Sequence, residues 1–408
     1  MVVIFFELLI LFRLVSSLRR KGLHSITKHV WIALFIQAVI LVIYRLELSS
    51  LGLEVYYSDS MVYWNATLGL LRGERVTTWN MGYVYYSYLI QLTSPIVWAG
   101  FINISNIMLV NLTILTLASI MLDNGIAPRN VKTFVTICLS NPLVVYSLLR
   151  NLKDALFLFY VCLIILCFEW LSHKRRGKAF ILLLIVILTI LVSGVRPWGF
   201  LVSVMFFALY YTRVSARLFR NTPILFWVSC LGFVVVLGLV AVFMMRLGYV
   251  DTLALWVPIV FSNATEHGIL DLLLAPFRIL VGPGPFRAIA GHIYFLHYTI
   301  SGNFFSAIGA LLWWVALSGI VARVVNGRLK LSRLSMTLLM VWVLFLAIYS
   351  LQYGGSLELR FRGIIYILTS ALSMSLYNST ISSRTRTIAV LAFGVLLVGG
   401  LIFEKGKP

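Results

Sequence analysis

Charge is what this chain has least of. Asp, Glu, Lys and Arg make up only 11% of its 408 residues and 13 of them are acids, against 61% hydrophobic residues. A water-soluble domain of this length cannot cover its surface with so few charges, and a mean hydropathy of +0.99 excludes one. Cysteine is also scarce. Cys138, Cys162, Cys167 and Cys230 all lie within apolar runs, with no CxxC or Cys/His spacing, which argues against both a disulfide framework and a zinc site. GxxxxGK[ST] is absent, so no P-loop nucleotide site is encoded. No internal repeat, low-complexity tract or linker breaks the chain, and residues 1–408 read as one integral-membrane domain.

What is present is a series of apolar runs, each of roughly 17 to 22 residues, long enough to cross a hydrocarbon core of about 30 Å. The net charge of +20 would suggest nucleic acid in a soluble protein. Here the cations fall in short clusters between apolar runs, "RRKGLHSITK", "SHKRRGK", "TRVSARLFR", "RVVNGRLKLSR" and "SSRTRT". Such clusters mark cytoplasmic loops, so the charge sets topology and no nucleic-acid partner is expected. The spacing predicts an all-α, polytopic bundle of about eleven spans: 29–46, 103–122, 131–149, 155–171, 179–194, 199–212, 223–246, 303–321, 334–352, 363–379 and 386–403. Residues 1–18 make a twelfth if they insert. Glu7 and Arg13 within that run favour an interfacial helix, because a charge at the membrane centre costs a few kcal/mol unless paired.

This threading leaves two long extracytoplasmic stretches, 47–102 and 247–302, and short outer turns at 150–154, 195–198 and 353–362. Both long stretches carry aromatic-rich amphipathic runs, "WNMGYVYYSYLIQL" and "GILDLLLAPFRILVGPGPF", suited to interfacial helices. Polar chemistry has to sit in these segments. Asp59 follows Tyr56 and Tyr57 and precedes Tyr63 and Trp64. It suits a proton acceptor in an aromatic surround, and equally the N-cap of the helix that follows. "RNLKDALF" packs Arg150, Lys153 and Asp154 into one turn, where a structural ion pair is the plainer reading. A hairpin needs a polar turn, but not two cations and an acid. Arg196, before Pro197 and Trp198, either snorkels to headgroups or serves a site. "GGSLELRFRG" places Glu358, Arg360 and Arg362 at alternating positions, and "APFRILVGPGPFRAIAGH" places Arg278, Arg287 and His292 around a Gly/Pro turn. Positive charge is disfavoured outside, and an Arg fork suits a phosphate. The pattern suits a phosphorylated lipid with its tail in a membrane cavity.

The order of these features resembles the GT-C superfamily of integral-membrane glycosyltransferases, including protein O-mannosyltransferase and aminoarabinose-transferase relatives. The resemblance lies in "YSDSMVYWNATLGLLRGE", in "NPLVVYSLLRNLKDALFLFYVCLIILCFEWL" with an acid in the turn, in "VSGVRPWGFLV" and in "LELRFRGIIYILTSAL". It covers about 330 residues by order of features. Many members carry a second acid directly after the first-loop Asp, where this chain has Ser60, and the Pro common after the family's late Arg is missing. A divalent metal is therefore unsupported, and no cofactor is expected. The resemblance implies sugar transfer from a polyprenyl-phosphate donor to a glycan, lipid or protein acceptor on the extracytoplasmic face of the plasma (inner) membrane. Asp59 would act as base with inversion, Asp154 as the second catalytic acid, and Arg150, Lys153, Arg196, Arg287, His292, Glu358, Arg360 and Arg362 would bind substrate. The alternatives are an O-antigen or exopolysaccharide polymerase or ligase acting on a pyrophosphate-linked saccharide, and a lipid or solute transporter.

Overall fold

The computed structural model describes residues 1–56, 59–78, 80–173, 177–208, 258, 269–282, 284–289, 300–327, 332–353, 359–376 and 383–403. Among these the regular structure is helical throughout, with no strand. A backbone in hydrocarbon must satisfy its own polar groups, and helices do so within one segment. The first helices are α1 (Val2–Arg20), α2 (Ile26–Ser50), α3 (Asp59–Leu71), α4 (Met81–Leu92) and α5 (Gly100–Asp123). Then come α6 (Pro128–Leu139), α7 (Pro142–Leu149), α8 (Asp154–His173), α9 (Lys178–Val195) and α10 (Pro197–Ala208). The C-terminal part holds α11 (Ile269–Val281), α12 (Pro285–Ile289), α13 (Ile300–Asn326), α14 (Arg333–Tyr353), α15 (Leu359–Leu376) and α16 (Ser383–Phe403).

Seven of these helices are long and apolar enough to cross a membrane: α2, α5, α8, α9, α13, α14 and α16. An eighth is added if the bent pair α6 and α7 is one span. Helices α10 and α15 coincide with further expected spans but contain shorter apolar stretches. The expected span 223–246 lies outside the described residues. The chain is thus a multi-pass helical membrane protein. Buried residues cover 83% of the apolar stretch of α5 but 6% of that of α16, so α5 is the axis of the bundle and α16 its rim.

The ends of the helices sort by charge. At one end Lys21 pairs with Asp123 at 2.7 Å, Arg333 lies 3.8 Å from Glu169, and Arg323 reaches Met374. Among the described residues, this end brings together Lys21, Arg323 and Arg333, which belong to the clusters that the sequence assigns to one side. At the opposite end Glu47 accepts from the backbone amide of Ile300 at 2.6 Å, joining the close of α2 to the start of α13.

Helix α1 lies along α5. Its N-terminal amine donates to the carbonyl of Thr93 at 2.9 Å, and Lys21 just past its C-terminus reaches Ser119 and Asp123. These contacts fix both of its ends beside α4 and α5. Of the two charges in this run, Glu7 is buried and its Oε1 accepts from the Tyr86 and Ser105 hydroxyls at 2.6 Å each, whereas Arg13 is exposed.

The expected span 131–149 is broken. Helices α6 and α7 meet at 56°, and the signal lies in "SNP". Asn141 caps α7 by accepting from the amides of Leu143 at 2.9 Å and Val144 at 3.3 Å, with Pro142 at the first helical position where no amide is required. The last carbonyl of α6, on Leu139, is taken by Gln37 at 3.2 Å, and Gln37 also exchanges two amide hydrogen bonds with Asn111 on α5. Three helices thereby share the cost of the break. Glycines let α13 and α15 approach α7. A Cβ at Gly309 would collide with Leu143 and with Asn141 Oδ1, and one at Gly363 with Ser147. Gly309→Ala is expected to destabilise the protein by about 1–3 kcal/mol, the usual cost of overpacking. Thermal unfolding in detergent checks this, with Gly394→Ala on α16, where a Cβ meets nothing within 4 Å, as the neutral control.

Candidate functional site

A polar cluster forms at the end opposite the basic loops, around the turn between α7 and α8. Helix α7 leaves carbonyls without intrahelical donors, and α5 supplies them. Asn103 donates to the carbonyl of Leu149 at 2.9 Å and Asn106 to that of Arg150 at 2.6 Å. These asparagines are three residues apart, on one face of an otherwise apolar helix. Asn151 then accepts from the Tyr83 hydroxyl at 2.8 Å and donates to the carbonyl of Ser60 at 3.3 Å, which docks the start of α3 onto the turn. Burial pushes the Tyr83 phenol well above its ordinary range, so it keeps its proton and its role as donor.

The charges hang on that frame. Asp59 opens α3, where a carboxylate also meets the positive end of the helix dipole. Lys153 Nζ lies 3.9 Å from Asp59, bonds the Tyr63 hydroxyl and sits 5.0 Å from the Tyr63 ring centroid. Asn80, with its amide turned to suit its neighbours, accepts from Lys153 at 3.0 Å and Tyr63 at 2.9 Å, and donates to the carbonyl of Val195 at 2.8 Å. Gly82 follows at once, and a Cβ there would come within 2.8 Å of the Gly194 backbone, so the start of α4 lies directly on the end of α9.

Beyond Val195, Arg196 has extended backbone, as a residue before proline prefers, and this turns its side chain towards α8. It forms a buried ion pair with Asp154 at the start of α8. The guanidinium lies 5.4 Å from the Phe157 ring and 5.9 Å from the Trp198 ring. The two acids of the cluster are therefore unlike. The Asp59 side chain is 39% exposed, whereas that of Asp154 is 0% exposed and engaged by an arginine.

The other expected residues fall as follows. Arg150 ends α7, buried, within electrostatic reach of Tyr44. Arg362, fully buried on α15, donates to the carbonyls of Arg278 and Ile279 at 2.7 Å each, so it serves as a cationic cap at the C-terminal end of α11. Its neighbour Gly363 packs on Ser147 and Leu148, which brings α15 to the same end of α7 as Arg150. Arg287 is half-buried on α12. Arg360 lies in α15 with its side chain outside the described residues, as are His292 and Glu358.

Asn80, Asn103, Asn106 and Asn151 were not singled out from the sequence. The paired asparagines within "FINISNIMLVN" are the one signal that marks them, since buried amides in a span need partners. Among the described residues no group of three or more His, Cys, Asp or Glu side chains gathers to hold a metal ion.

No protein-family model, curated protein or solved structure matches the chain. Fold and site together define a class: a multi-pass helical membrane protein with an accessible carboxylate beside buried cations, at the end of the bundle remote from its basic loops.

Proposed function

We propose that the protein is a membrane glycosyltransferase that moves a sugar from a polyprenyl-phosphate donor to an acceptor hydroxyl on the extracytoplasmic face. The observation that carries this reading is the asymmetry of the two acids: Asp59 is accessible and next to Lys153, while Asp154 is sealed against Arg196. A general base has to reach its substrate, and a cation beside it serves an anionic leaving group. Asp59 takes the proton of the acceptor hydroxyl as that oxygen attacks the anomeric carbon. The bond from that carbon to the phosphate oxygen breaks, and the lipid phosphate departs with the electron pair. Lys153 and Arg150 supply the positive field, and the Asp154–Arg196 pair holds the ends of α8 and α9 in register.

Mass spectrometry of the lipid left after turnover tests this. Purified protein given a polyprenyl-phosphate sugar is expected to release polyprenyl monophosphate. Release of polyprenyl pyrophosphate from a pyrophosphate-linked saccharide, with products that lengthen over time, would instead identify a polymerase.

The break between α6 and α7 favours a second reading, transport, because transporters place discontinuous helices at their substrate sites. Under that reading bound lipid-linked substrate crosses unchanged and no donor is cleaved.

A further inference from the structure

The bend between α6 and α7 has a second effect, at the other end of the bundle. Near the break, α13 lies tightly on α7 through Gly309. Towards the basic end α6 swings away by 56° and leaves a groove of about 390 Å³. Its walls are two facing helical stripes, from Thr133 to Asn141 on one side and Leu312, Val315, Gly319 and Arg323 on the other. The volume falls within the range of roughly 300–1,000 Å³ typical of ligand sites. Leu312 and Val315 are about half exposed on the face that would meet lipid.

The mouth of this groove is cationic. Arg323 is 8% exposed, and its Nη1 is set against the thioether of Met374 at 2.8 Å, a weak acceptor for a guanidinium. Arg129, at the start of α6, is close enough to repel it. Among the described residues neither arginine forms an ion pair. Arg323 lines the groove and Arg129 opens the helix that forms its other wall, so both stand at the last or first turn of a helix and present like charges to an anion at its basic end. From Arg129 to the break at Asn141 the chain runs 12 residues, about 18 Å along a helix, so the slot descends from the headgroups into the hydrocarbon.

We infer that this groove is a binding site for one anionic phospholipid of the leaflet facing the basic loops, its phosphate between Arg323 and Arg129 and one acyl chain between α6 and α13. The site is independent of the sugar-transfer reading.

Native mass spectrometry of purified protein titrated with phosphatidylglycerol or phosphatidylcholine of equal chain length tests it. The wild type is expected to retain one phosphatidylglycerol per chain in preference to phosphatidylcholine. Arg323→Gln should weaken retention by roughly 10- to 100-fold, the loss expected for a hydrogen bond to a charged partner. Gly319→Leu keeps both arginines but fills the slot. A Cβ there meets nothing within 4 Å, so the side chain starts into open space; retention is expected to fall with an unchanged melting point, measured alongside. Equal retention of phosphatidylcholine overturns the assignment, as does wild-type retention in Gly319→Leu. Displacement of the lipid by inorganic phosphate alone would reduce the site to an anion site and overturn the lipid proposal.

Discussion

Asp59→Asn is expected to leave the protein folded and lower sugar transfer by about 10²- to 10⁴-fold, the loss typical of removing a general base. The change is nearly isosteric, and the side chain is 39% exposed, so solvent screens the loss of its charge. The exchange thus separates the two roles that position 59 suits. A carboxylate that only favours the start of α3 costs a few tenths of a kcal/mol when neutralised and leaves turnover alone. A proton acceptor loses turnover with stability intact. Asp59→Glu should retain part of the activity, because the acid is kept but moved by one methylene. Product release measured alongside thermal unfolding decides the matter, and full activity in Asp59→Asn removes this residue from the chemistry.

Arg196→Leu is expected to have the largest effect on stability, about 3–5 kcal/mol, because it leaves the Asp154 carboxylate buried without its arginine. Most of that cost is the stranded charge. The double variant Arg196→Leu with Asp154→Leu should recover a large part of it, as replacing a whole buried pair with apolar side chains often does. Arg196→Lys should fall between, since an ammonium keeps the charge but loses the planar fork that lies close to the Phe157 and Trp198 rings. Unfolding of the wild type, Arg196→Leu, Asp154→Leu and the double variant in the same detergent gives the coupling energy directly. A wild-type melting point for Arg196→Leu would show that the pair does not hold the fold, and would return Arg196 to the residues that serve substrate.

The distinction between these two positions was only half legible in the sequence. Asp59 and Asp154 both stand at the start of a helix after a polar turn, next to aromatic residues, and nothing in their local pattern ranks them. The ranking comes from Arg196, which is 42 residues from Asp154 along the chain and reaches it because α8 and α9 pack as antiparallel neighbours. Arg362 is a similar case. Its alternation with Glu358 and Arg360 suggested a row of outer charges, whereas its guanidinium reaches carbonyls 83 and 84 residues away, at the end of α11.

Hydropathy alone determined that the chain is helical, crosses a membrane many times and turns its basic loops to one end. A backbone in hydrocarbon has few options, and a cation next to an apolar run has a preferred side. The two residues that bend α6 away from α7 were also written locally, in Asn141 and Pro142. Tertiary structure decided the rest: that α1 lies along α5 with Glu7 met by Tyr86 and Ser105; that one acid of the cluster is open and the other closed; and that the bend leaves a groove with an arginine at its mouth. Each of these depends on which helices are neighbours. In a bundle whose helices are apolar on nearly every face, the sequence periodicity that would name those neighbours is absent, and the choice falls to glycines, amides and paired charges scattered far apart in the chain.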